Sequence, residues 1–224
     1  MPQPLDPSTG GCYWTPVSSS PDPALEDCPE SKAWARVVDR PGGERQHPVD
    51  ELIGEHGLQR LVLHAMHWEA LRLAKWAFRD QVWGAIADLL GNYGLLFHYR
   101  KKSMFLFPAL ATHGFAELIE GMEKARQQDI ELTLELCDAV QSEDWEPLLR
   151  LSAIVASEKR RVMEQEDQLI LRPARGLLSP VEVARLRNQF DELEEKALLN
   201  RSRGDFLGVL RGLLAAVGQP DPTR

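Results

Sequence analysis

Residues 118–140, LIEGMEKARQQDIELTLELCDAV, decide the fold class. Leu118, Met122, Ala125, Asp129, Leu132, Leu136 and Val140 recur at spacings of three and four. That repeat is one face of a helix turning every 3.6 residues, and it places Asp129 in the middle of an apolar stripe. Downstream, after Ser142 to Trp145, Leu148, Leu151, Ile154, Val155, Val162 and Leu169 continue the pattern to near Pro173. Upstream, Pro48 suits a first helical turn and Asp50 and Glu51 suit the positive end of the helix dipole. Leu52, Ile53, His56 and Leu63 then share a face of a helix running to about residue 75. A further helix opens near Asp80 and carries Val82, Ile86, Leu89, Leu90 and Tyr93 toward His98 and Phe105, with a break at His113 and Gly114. Ser179 caps and Pro180 starts a shorter helix through Val183 and Leu186 to Leu193, and a last run spans Phe206 to Val217.

Strand signals are essentially absent, so the chain is read as all-α. Four long helices joined by short connections make successive helices neighbours, which predicts an antiparallel up-down four-helix bundle with extra C-terminal helices. Residues 1–46 contain eight of the fifteen prolines and no sustained apolar period, so they form an irregular N-terminal arm. Within the arm, Trp34, Ala35, Val37 and Val38 are positioned to form a turn of helix or to clip onto the main domain. The bundle occupies 47–218 and a short tail 219–224.

The chain has 224 residues, 43% hydrophobic and 27% charged, with a net charge of -8. An acidic balance without a block of Lys and Arg offers no phosphate footprint, so neither nucleic acid nor a membrane surface is an expected partner. Arg100, Lys101 and Lys102 form a cluster too short to alter that. No apolar run approaches a membrane span and no secretory signal is visible, which makes a cytoplasmic protein the default. Cys12, Cys28 and Cys137 are an odd number with no C-x-x-C pair, against a zinc knuckle or disulfide framework. No nucleophile elbow or phosphate-binding loop stands out, so no catalytic residue is assigned. All six histidines, His47, His56, His64, His67, His98 and His113, precede residue 114. His67 returns to nearly the face of His56 but about 16 Å along the axis, too far for a shared coordination shell. It is expected as a core or groove histidine, with His64 on the surface.

Polar residues at inward positions of a bundle are the informative ones. Here they are His56, His98, Lys102 and Asp129, with His98 and Lys102 four residues apart on one helix face. The run Glu55-His56, followed about forty residues later by His98-Tyr99-Arg100-Lys101-Lys102 and then Leu106-Phe107-Pro108, resembles the hemerythrin-like, or HHE cation-binding, family. Leu178-Ser179-Pro180-Val181-Glu182 is similar to the family's segment after helix four, and the resemblance covers roughly residues 47–195. It implies a di-iron site built from five histidines and carboxylates of all four helices, with roles in oxygen, nitric oxide, iron or redox chemistry. Carried over by position, His56 and His98 match. Lys102 stands where the family has a Glu, and Asp129 where it has a His. On helix four one register offers Met163 and Asp167, and the other Val162 and Glu166; neither supplies a histidine.

Three readings of the centre follow. A single metal, iron, manganese or zinc, held by His56, His98, Asp129 and Glu166 or Asp167 would make a binding or sensory protein, or, with iron, an iron-dependent enzyme, acting on a small ligand. Alternatively, the Lys102 ammonium replaces the metal by pairing with Asp129 and with Glu166 or Asp167, leaving a metal-free interaction module. The third reading uses the small residues Gly84, Ala87, Gly91 and Gly94, which would leave room for haem with His98 or His56 and Met163 as axial ligands. The aromatic and apolar bulk of the first two helices would, where exposed, suit a protein partner or a homodimer.

Overall fold

The computed structural model describes residues 46–74, 78–197, 201 and 203–218. The proposed arm, with its Trp34 turn, and the tail lie outside the described residues apart from Gln46. Among the described residues there is no strand. Helix α1 spans Pro48–Leu73; the His47 side chain caps it by accepting from the Val49 amide at 3.2 Å, and Pro48 opens the first turn, where a missing N–H costs nothing. Helix α2, Asp80–Ala87, continues without a loop into the segments Asp88–Tyr99 and Lys101–Leu106, whose turns are wider than an α-helix, and into α3, Phe107–Leu110. The connection between α1 and α2 is clamped by the Arg79 guanidinium on the buried Glu69 carboxylate.

The helical path breaks at His113 and Gly114; the latter has φ +88°, a left-handed conformation that glycine adopts without steric cost. Helix α4 is Ala116–Gln141 and α5 is Trp145–Glu166. A wide-turn segment, Asp167–Leu171, and the short α6, Arg172–Ala174, follow α5. Helix α7, Pro180–Ala197, starts with a reciprocal capping box: Glu182 N donates to Ser179 Oγ, while Ser179 N donates to the Glu182 carboxylate at 2.9 Å. Helix α8 is Arg203–Gly218. Among the described residues no helix is long and apolar enough to cross a membrane.

The apolar core is divided into two clusters. One contains Leu61, Trp83, Phe97, Leu136, Val155 and Phe206; the other contains Val49, Leu52, Phe107, Met122, Ile170 and Phe190. Each of the four long helical paths runs from one cluster to the other, in alternating direction along the chain. On each path buried polar residues lie between the clusters or at their edge: Glu55 and His56; His98, Lys101 and Lys102; Arg126; Lys159, Glu166 and Asp167. Helix α4 packs on α5, α5 on α1, α1 on the α2 path, and the α2 path on α4. Helix α8 leans on α1 and α2, and α7 on the wide-turn segments and α1. A polar layer crossing a core is costly unless every charge is paired, so the pairing within that layer is where the sequence departs from simple packing.

Some sequence expectations need correction. Ile154 and Leu169, placed on the inward face of the fourth helix, are 41% and 47% exposed. The regular three-and-four spacing put them at the edge of the buried stripe, and the widened turn after Glu166 shifts the phase beyond it. His67, expected in a core or groove, is exposed. Gly91 and Gly94 are packing positions rather than open space: a Cβ on Gly91 would meet Cys137 Sγ at 3.2 Å, and one on Gly94 would meet Gln59 Oε1 at 3.5 Å.

Candidate functional site

The polar layer is organised around two adjacent lysines that enter different cages. Lys102 Nζ lies 2.5 Å from Glu166 Oε2 and 3.5 Å from His56 Nε2. His56 Nδ1 is 2.6 Å from Asp167 Oδ1, and Asp167 is held from its other oxygen by Arg60 at 2.7 Å. A carboxylate accepts only, so His56 donates its Nδ1 hydrogen to Asp167, and the ring turns Nε2 toward Lys102 Nζ and Glu166. Glu166 Oε1 also lies 3.2 Å from Arg126 Nε. Burial alone would raise the Glu166 pKa, but Lys102 and then His56 outweigh it and hold the carboxyl well below its usual range. For Asp167, burial is likewise outweighed by the hydrogen bond from His56 and by Arg60.

Lys101, fully buried, enters the second cage. Its Nζ is 2.5 Å from Glu51, 2.7 Å from Glu55 and 2.8 Å from Glu194, and lies 4.1 Å from the centre of the Phe97 ring. Burial would lower this lysine's pKa, yet the three carboxylates, Glu55 foremost, raise it above its ordinary value. Glu55 spans the two cages: its second oxygen accepts from His98 Nδ1 at 2.7 Å. The His56 and His98 rings meet edge to face with centroids 4.7 Å apart. Burial, then Lys102 and His56, depress the His98 pKa well below 6.5, so His98 is neutral and its Nε2 lone pair has no hydrogen-bond partner.

Of the residues singled out in the sequence, His56, His98 and Glu166 gather around Lys102. Asp167 reaches the outer nitrogen of His56. Glu166 and Asp167, the carboxylates of the two registers, are both buried and lie on the two sides of the His56 ring, 3.3 Å from Nε2 and 2.6 Å from Nδ1. Asp129 is not joined to Lys102; its Oδ2 takes a hydrogen bond from Lys159 at 2.8 Å. Met163 is 3% exposed and lines the same small cavity as His98 and Asp129. Sequence reasoning missed Lys101, Arg126, Lys159, Glu51 and Glu194 as members of the layer. Glu55 was quoted only as part of a motif, although a carboxylate preceding a buried imidazole was a signal.

Both histidines are oriented through Nδ1 by carboxylates, the arrangement that fixes metal-binding imidazoles with Nε2 facing a centre. The donor set nevertheless does not fit a pair of iron ions. An ammonium within 3.5 Å of His56 Nε2 and bonded to Glu166 repels a cation there. Among the described residues, Glu51, Glu55 and Glu194 form a group whose oxygens lie within 4.8 Å of one another, and Lys101 already stands among them. The cavity beside His98 measures about 20 Å³, which admits a water molecule and not a porphyrin. No family model matches the chain, and no curated protein or solved structure matches it.

Proposed function

We propose that the chain is a hemerythrin-like four-helix bundle in which the Lys102 ammonium stands in for a metal ion, making it a metal-independent binding module rather than an oxygen carrier or iron enzyme. The observation that carries this reading is Lys102 Nζ at 2.5 Å from Glu166 and 3.5 Å from His56 Nε2. A fixed positive charge there supplies what a cation would otherwise supply: it neutralises the Glu166 carboxylate and faces His56 Nε2. The ring of contacts among α1, the α2 path, α4 and α5, with their alternating direction between the two apolar clusters, supports the bundle arrangement.

The layer is built for permanence. Its charges come from helices far apart in sequence, so they fix the mutual rotation of the helices and the shape of the outer surface. Small polar molecules and proteins are the partner classes compatible with such a rigid, redox-silent frame. The test is elemental analysis and absorption spectroscopy of the full chain purified from iron-replete, haem-supplied cells. The expected result is no stoichiometric metal and no haem absorption. One iron per chain with Lys102 in place overturns the proposal and favours a single-metal site at His98, whose free Nε2 is the feature that would support it.

A further inference from the structure

Beside Lys102, the cavity of about 20 Å³ collects unsatisfied polar atoms from all four long helical paths. Gln59 Nε2 comes from α1, His98 Nε2 from the α2 path, Asp129 Oδ1 from α4 and Glu166 Oε1 from α5, and none has a hydrogen-bond partner. Arg126 Nε is also unsatisfied; its 3.2 Å approach to Glu166 Oε1 lacks hydrogen-bond alignment. Gln59, His98, Arg126 and Glu166 are each at most 4% exposed. Leaving so many buried polar atoms unpaired is costly, because each has given up its hydration with no replacement.

We infer that this cavity is a binding site for one small neutral hydroxylic molecule, of the size of water, that joins the four helices at their centre. The chemistry of the orphaned atoms selects the class. His98 Nε2, Asp129 Oδ1 and Glu166 Oε1 can only accept, whereas Gln59 Nε2 and Arg126 Nε can only donate. A metal cation satisfies the acceptors and is opposed by Lys102, Arg126 and Lys159. An anion satisfies the donors and is opposed by Asp129 and Glu166. An O–H group that donates to His98 Nε2 while its oxygen accepts from Gln59 satisfies both kinds, and the volume holds about one water. Water itself and a small alcohol share this chemistry. The inference deepens the metal-free reading and rests on it in one respect: a metal would need the same His98 lone pair.

The experiment is a high-resolution crystal structure of the full chain, determined from aqueous buffer and again after soaking in methanol, with two-bond 1H–15N spectra of the histidine rings. In aqueous buffer the expected result is a single light-atom peak within hydrogen-bond distance of His98 Nε2 and of Gln59 Nε2 or Asp129 Oδ1. The His98 Nε2 resonance should lie upfield of an unbonded imidazole nitrogen and move back downfield in Gln59→Leu as the peak weakens. In the methanol arm an unchanged peak assigns the site to water and a two-atom peak assigns it to a hydroxylic solute; both uphold the inference. An empty cavity with an unshifted nitrogen, or a bound anion, overturns it and leaves the metal-free reading intact. A metal peak overturns both.

Discussion

Replacing Glu166 by Gln removes one carboxylate from a place where two cations depend on it. Lys102 Nζ bonds Glu166 Oε2 at 2.5 Å and Arg126 Nε approaches Oε1 at 3.2 Å, with the carboxylate wholly buried. Breaking a buried pair from one side costs about 3–5 kcal/mol, because the surviving charge is left desolvated. At ~2–4 °C per kcal/mol for a domain of this size, Glu166→Gln should lower Tm by roughly 6–20 °C. Removing the other partner should cost less. In Lys102→Met the carboxylate keeps Arg126 Nε at 3.2 Å, so its charge retains a neighbour of the right sign. The double variant, apolar at 102 and neutral at 166, should be more stable than Glu166→Gln alone, since one stranded cation is gone. The assay is urea unfolding followed by far-UV circular dichroism and by tryptophan fluorescence, with coincident transitions required before free energies are compared. A loss below about 1 kcal/mol for Glu166→Gln would refute the reasoning. A Lys102→Met variant less stable than Glu166→Gln, or a double variant showing no recovery, would refute it equally.

Two further outcomes follow from the same layer. Lys102→Glu removes the obstructing cation and places a third carboxylate near Glu166 and two oriented imidazoles, so the variant should gain iron or zinc binding. The readouts are elemental analysis and a metal-dependent rise in Tm; a variant that neither binds metal nor is stabilised by it would show that the lysine charge is not what excludes the ion. The second outcome concerns acid. Glu166 and Asp167 have folded-state pKa values below their ordinary 4.5 and 3.8. Their contribution is therefore fully present above those values and is lost as pH falls through the depressed folded ones. Stability should decline progressively below about pH 4.5, and the decline should be shallower in the Lys102→Met, Glu166→Gln double variant; equal slopes in denaturation series from pH 2 to 7 would contradict this.

The helices were legible because their signals are local. Apolar spacing marked α4, Ser179 with Pro180 marked the start of α7, and His113 with Gly114 marked the break. His56, His98 and Lys102 were legible as a group because residues i and i+4 share a helix face and His56 interrupts an apolar one. The partners were not legible, because pairing across helices leaves no local trace. Lys101 sat in a three-residue basic cluster that reads as a solvated face, yet its charge is buried by Glu51 and Glu55, about fifty residues earlier, and by Glu194, 93 residues later. Asp129 pointed to Lys102 by position, but Lys159 on the adjacent helix is 2.8 Å away and takes it. The choice between Glu166 and Asp167 assumed a strict helical phase, which the widened turn starting at Asp167 does not keep.

The two lysines also differ in when their partners become available to a growing chain. Glu51 and Glu55 have already been synthesised when Lys101 is added, so the first helical hairpin can neutralise that charge unaided. Lys102 must wait for Glu166, 64 residues later. Glu194 reaches Lys101 only after 93 residues, roughly 5–20 s at common elongation rates. Until Glu166 emerges, Lys102 is an ammonium without its carboxylate on the face that the nascent hairpin would otherwise collapse upon, a built-in opposition to premature closure that ends when the helix bearing Glu166 arrives.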